Sequence, residues 1–103
     1  MIKLTVLYTP PSQVEEFDAH YTSVHVPLVE QMPGLVRVET SVVVGMPDGS
    51  PAPYHRMAEL YFEDGDAMGG AFGSDVGKRT AADAQELAAR TGSTVTMMIN
   101  ILD

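Results

Sequence analysis

Apolar and polar positions alternate along four stretches of the chain and recur at helical spacing along the segments between them. Ile2 to Thr9 reads as a first strand, with Ile2, Leu4, Val6 and Tyr8 on one face and Lys3, Thr5 and Leu7 on the other. Pro10-Pro11-Ser12 breaks it. Ser12 is placed to be an N-cap, with Glu15 three residues on to complete a capping box and Glu16 adding charge to the first turn. A helix should follow and end at Met32-Pro33-Gly34. At about 100° per residue, Val14, Phe17, Tyr21, Val24 and Leu28 fall within an arc of about 80°, which predicts the buried stripe. His25 lies about 20° from its edge and one turn after Tyr21, so imidazole and phenol can meet. His20 and Asp18 leave on opposite flanks. Pro27 has no N–H for the Ser23 carbonyl and crowds it, which predicts a kink or loosened turn beside His25.

Leu35 to Val44 is the second predicted strand. Gly45 to Pro53 is a loop punctuated by glycine and proline, and Tyr54 to Glu63 is the third strand. Asp64-Gly65-Asp66 should cap a short helix, Ala67 to about Phe72, that Gly69-Gly70 weakens. Ser74 or Asp75 starts a longer helix to about Arg90, closed by Gly92, with an inner face of alanines, Val76 and Leu87. Ser93 to Asp103 is the last strand. The order β-α-β-β-α-α-β is the split pattern of a ferredoxin-like α+β domain with a four-stranded antiparallel sheet, one domain spanning residues 1–103. All four strands carry apolar or aromatic residues on both faces, while helices can cover only one face. The pattern therefore predicts a homodimer joined through the uncovered sheet faces.

Charge narrows the partners. Six basic against fourteen acidic residues give a formal net charge of -8, with no basic cluster, which argues against nucleic acid and against anionic membranes. No cysteine is present, so disulfides and thiolate chemistry are excluded, in agreement with a reducing, cytoplasmic setting. The N-terminal stretch is too short in apolar length for a signal peptide, and no run approaches a membrane helix.

His25 is the leading candidate for chemistry. It stands on a buried face beside a distorted turn, with Tyr21 one turn away and Tyr8, Glu59 or Tyr61 on strands that could face it. Such a group acts as general acid or base near neutral pH. The competing reading is a core-edge histidine that satisfies one nitrogen on a carbonyl and does nothing else. A metal site has little support, because His20 and His25 are five apart, about 140° around an α-helix, and His55 sits on another strand. No nucleophile elbow is present, and Gly69-Gly70-x-x-Gly73 matches no phosphate-loop pattern. Asp64, Asp66 and Asp75 stand at helix starts; Asp83 is mid-helix, where capping does not explain it.

These residues make the chain similar to the EthD family, named for ethyl tert-butyl ether degradation, within the dimeric α+β-barrel superfamily. The matching marks are Tyr8-x-x-Pro11, Phe17-Asp18-x-His20-Tyr21-x-x-x-His25-x-Pro27-Leu28, Pro33-Gly34-Leu35, Pro53-Tyr54-His55, Ala58-Glu59-Leu60-Tyr61-Phe62, and Ser74 through Asp83 with Gly77 between. The resemblance implies a ferredoxin-like fold dimerised through its sheets, with a mainly apolar cavity between sheet and helices. It implies a small apolar, oxygen-bearing ligand and chemistry without metal or cofactor, as oxidoreductase, isomerase or dehydratase. His25 would then move a proton and Tyr21 would orient it or donate a hydrogen bond. Tyr8, Phe17, His20, Glu59 and Tyr61 would bind substrate. The alternative is a non-catalytic accessory dimer supporting a partner oxygenase.

Overall fold

All four expected strands form in the computed structural model, which describes residues 1–103: β1 (Ile2–Tyr8), β2 (Arg37–Val42), β3 (Arg56–Phe62) and β4 (Val95–Ile101). They make one antiparallel sheet in the order β2-β3-β1-β4, as a ferredoxin-like domain requires. Each is shorter than the alternation suggested, by one to four residues at its ends, although single backbone bonds such as Val43 N–H to the His55 carbonyl at 2.8 Å continue past them.

Register decides which side chains share a face. Leu4 pairs with Leu60 and Ile99, and Val6 with Ala58 and Met97, so these positions line the side that the helices cover. Lys3 pairs with Tyr61, and Thr5 with Glu59 and Met98, on the opposite side. That opposite side mixes polar and apolar members. Lys3 Nζ donates to Glu59 Oε1 at 2.8 Å, Thr5 Oγ1 to Asn100 Oδ1 at 2.7 Å, and the Arg37 guanidinium lies 3.9 Å over the Tyr61 ring. Leu7, Met57 and Met98 are its apolar members. The face is mixed because β4 turns Met97 and Ile99 toward the helices and Asn100 away from them.

The helical layer begins with α1 (Val14–His20), continues through a π-helical turn at Tyr21–His25, and resumes as α2 (Val26–Glu30). Then come α3 (Gly65–Gly73) and α4 (Asp75–Thr91). Two capping expectations hold: the Asp64 side chain accepts from Ala67 N–H at 2.8 Å, and the Ser74 hydroxyl accepts from Gly77 N–H at 3.0 Å. Gly92 closes α4 in the left-handed region, φ 76°. The capping box at Ser12 does not form. Gln13 is the N-cap, and Ser12 Oγ instead donates to Thr91 O at 3.2 Å, tying the start of α1 to the end of α4. Tertiary packing of two helix ends wins here over the local motif. The core between sheet and helices joins one aromatic group (Tyr8, Phe17, Tyr21) to a second, Phe62 against Phe72, through aliphatic side chains, with Leu87 and the alanines of α4 closing on the sheet.

Candidate functional site

The π turn creates the site. Its closing bond runs from Val26 N–H to the Tyr21 carbonyl, five residues back rather than four. Thr22 Oγ1 donates to the Asp18 carbonyl at 2.9 Å and Ser23 Oγ to the Ala19 carbonyl at 2.6 Å, so hydroxyls serve the widened turn. Pro27 falls in the first turn of α2, where its missing N–H is not needed. The expected disruption is therefore real, but it takes the form of an inserted π turn ahead of the proline.

This turn moves the buried stripe. Its members are Phe17, Tyr21, His25, Val29 and Met32, while Val14 and Val24, expected inside, are 43% and 41% exposed. His25, expected at the edge, is 6% exposed. The extra residue in the turn rotates His25 inward in place of Val24. It also brings positions five apart onto one side, so His20 and His25, on different sides of an α-helix, reach a common partner.

That partner is Asp83, in the middle of α4. Its Oδ1 lies 2.8 Å from His20 Nε2 and its Oδ2 lies 2.9 Å from His25 Nδ1. A carboxylate only accepts, so His25 carries its proton on Nδ1 and leaves Nε2 as a base. Nε2 faces the Tyr8 hydroxyl at 3.4 Å, long enough for that phenol to be handed to another acceptor. Asp83 is the member of this cluster that motif reading did not name as a site residue. Its signal was present, as an acidic side chain mid-helix with no capping role.

Tyr21 meets His25 by stacking, not by hydrogen bonding. The rings lie 5.5 Å apart and 26° from parallel, with Phe17 stacked on Tyr21 at 5.6 Å. The Tyr21 hydroxyl is buried without a partner. Such an orphan costs about 1–3 kcal/mol, and aromatic pairs at about 0.5–1.5 kcal/mol each are of the size needed to offset it. Arg56 adds to the stack, its guanidinium 5.1 Å from the Tyr21 centroid, and is held by Asp18, which also accepts from His55 Nε2 at 2.8 Å.

A small cavity of about 20 Å³, room for about one water-sized group, opens beside His25, between the sheet and α2, α3 and α4. Tyr8, His25 and Thr80 are the only polar residues on its wall; the Thr80 hydroxyl is committed to the Val76 carbonyl at 2.7 Å. Of the residues expected to bind substrate, Tyr8 lines the cavity. Phe17 is core beneath the aromatic stack, and His20 stands behind Asp83, away from the cavity. Glu59 and Tyr61 lie on the other side of the sheet, because the Tyr8–Arg56 register pairs Tyr8 with the Ala58 and Leu60 face. No three His, Asp or Glu side chains converge where they could hold a metal ion.

Protonation states follow from these surroundings. Burial pushes His25 below its ordinary 6.5 and outweighs the attraction of Asp83, so the imidazole is neutral at pH 7. Burial raises the Tyr8 phenol and keeps it a donor. Burial also pushes Asp83 up, but hydrogen bonds from His20 and His25 prevail and hold it below its ordinary 3.8. Asp18 is lowered too, its bonds to His55 and Arg56 overcoming burial.

A pH dependence follows. Below pH 6.5 the unfolded chain protonates the His25 position while the folded chain resists, so stability falls as pH drops from about 6.5 toward the depressed folded value. Asp83 and Asp18 stabilise above 3.8 and lose that contribution as pH falls through their lower folded values. Thermal midpoints should decline between pH 7.5 and 5 by more in the wild type than in His25→Gln. Equal declines would remove His25 as the cause.

With this geometry in place, comparison with known proteins is decisive at one level. The EthD domain profile matches residues 9–91. The chain belongs to the EthD family. A Rhodococcus erythropolis EthD relative, an uncharacterized 11.0 kDa protein of the thcB-thcC intergenic region, is 39% identical over 88 residues, covering 85% of this chain and 84% of its own. An EthD family protein from Bacillus halodurans is 33% identical with a TM-score of 0.91, over 100% of this chain and 99% of that one. SnoaB from Streptomyces nogalater, a cofactor-independent oxygenase, matches the EthD fold at 16% identity with a TM-score of 0.67, covering 99% and 92%. No helix of this EthD protein is long and apolar enough to cross a membrane.

Proposed function

We propose that this EthD protein is a cofactor-independent proton-transfer enzyme, cytoplasmic and homodimeric, acting on a small, mainly apolar, oxygen-bearing metabolite. The observation that carries the reading is His25 held between Asp83 at 2.9 Å and Tyr8 at 3.4 Å on the wall of an apolar cavity. A neutral imidazole oriented by a carboxylate, with its free nitrogen beside a phenol donor, is a base paired with an acid. In the step we envisage, Nε2 takes a proton from carbon next to a carbonyl. The C–H electron pair becomes a carbon–carbon double bond, and negative charge gathers on the carbonyl oxygen. Tyr8 moves its hydrogen bond from Nε2 to that oxygen. His25 then returns the proton to a different carbon for isomerisation, or to a departing hydroxyl, releasing water, for dehydration. The fold shared with a cofactor-independent oxygenase supports chemistry on this scaffold without a cofactor. Leu7, Met57 and Met98 on the open sheet face support the dimer, with a second copy covering them.

The test uses enolisable lactones and cyclohexenones in deuterium oxide, with NMR reading exchange of the proton next to the carbonyl. Wild type should accelerate exchange and His25→Gln should not. Equal exchange by both proteins would end the proton-transfer reading.

A further inference from the structure

Gly65 opens α3 and Gly69 sits one turn on, inside the helix, where a glycine costs about 1 kcal/mol relative to alanine. Packing explains Gly77, where an added Cβ would meet the Ala71 carbonyl oxygen at 1.9 Å. It does not explain Gly65 or Gly69, where an added Cβ meets nothing within 4 Å. Both border a second hollow, an open groove of about 420 Å³, flanked by Met68 and Ile99. Leu4, Phe72, Ala81 and Met97 line both this groove and the His25 cavity, so the two are compartments of one site. Neither compartment has a charged side chain on its wall apart from the His25 ring, which is neutral, and the chain as a whole carries a net charge of -8.

We infer that the groove holds the uncharged hydrocarbon tail of the substrate whose oxygen-bearing head lies at His25, and that Gly69 sets how much tail fits. This rests on the proton-transfer reading for the head and adds the substrate class: a neutral amphiphile with one hydrogen-bonding end. Three features carry it. The polar groups gather at the closed end, where Tyr8 and His25 can hold a single hydroxyl or carbonyl. The open end is hydrocarbon throughout, matched to alkyl or ring carbon. Carboxylates and phosphates on the tail find no cation there.

The probes are phenol, 4-hexylphenol and 6-(4-hydroxyphenyl)hexanoate, titrated into the intact protein while the His25 ring signals are followed by NMR. Affinity should rise from phenol to 4-hexylphenol by up to about fourfold per methylene, the value of full burial. The carboxylate-tailed probe should bind at least tenfold more weakly than 4-hexylphenol. Gly69→Leu fills the groove with a better helix former, so the fold survives; Gly70→Leu, next to it and outside the groove lining, is the control. Gly69→Leu should weaken 4-hexylphenol about tenfold and leave phenol unchanged, while Gly70→Leu changes neither. The inference is overturned if 4-hexylphenol gains nothing over phenol, or if both lose equally in Gly69→Leu. It is also overturned if Gly69→Leu alters the dimer by light scattering, which would assign the groove to a second copy. If no probe moves His25 at all, it is the head-group reading that falls.

Discussion

Asp83→Asn should slow His25-dependent proton exchange by about 10²–10⁴-fold, the usual worth of a general base, while the chain stays folded. The carboxylate performs two tasks that an amide cannot combine. It accepts from His25 Nδ1–H, which places the basic lone pair on Nε2 facing the cavity, and its charge stabilises the imidazolium once the proton has moved. An amide turned with its NH2 toward His25 reverses the tautomer and puts hydrogen on Nε2, where the base must be. Turned the other way, it preserves the tautomer and loses the charge. Ring ¹⁵N shifts of His25 distinguish these cases. The melting temperature should drop by only about 4–8 °C, equivalent to about 1 kcal/mol, because Asp83 is partly exposed and water can replace its bonds. His20→Gln is the companion variant. Its amide can still donate to Oδ1, so exchange should fall far less than in Asp83→Asn. An Asp83→Asn protein that exchanges at the wild-type rate would show that His25 works without its carboxylate.

Gly77→Ala should be the most damaging single methyl in the chain. Its Cβ would meet the Ala71 carbonyl oxygen at 1.9 Å and the Phe72 Cα at 2.7 Å, both backbone atoms that cannot swing aside. Relief requires α3 and α4 to separate. Overpacking of this kind costs about 3 kcal/mol, or about 12 °C or more in melting temperature for a domain of this size. Alanine is otherwise the better helix former, so propensity predicts the opposite sign. A melting temperature equal to or above wild type would mean that the α3–α4 contact gives way at little cost. The separation should reach the site as well, because Phe72 and Thr80, on either side of this contact, both line the His25 cavity.

The two glycine positions show how unevenly structure is written into sequence. Gly92 could be read directly: a glycine after the last periodic residue of α4, adopting the left-handed conformation that closes a helix. Gly77 stands inside a helical run with no capping role, and the α3–α4 approach gives it a reason. Asp64 and Ser74 were legible as caps because capping is local, decided within four residues. Ser12 carried the same local signature and lost to a contact with Thr91, 79 residues away.

The candidate site divides along the same line. The alternating strands, the three expected helices, their order and the choice of His25 as candidate follow from periodicity and from Pro27, which act over one or two turns. The ferredoxin-like sheet follows from that order. Three things did not follow. Strand register put Tyr8 beside His25 and carried Glu59 and Tyr61 to the far face, a choice made by pairing between β1 and β3, distant in sequence. The π turn moved His25 inward and Val24 outward, because inserting one residue into a turn rotates everything after it. Asp83 met His20 and His25 across 63 and 58 residues, through the packing of α4 against the π turn. Local patterning determines what each segment can be; only the packed chain brings a carboxylate, an imidazole and a phenol from three segments within hydrogen-bonding reach.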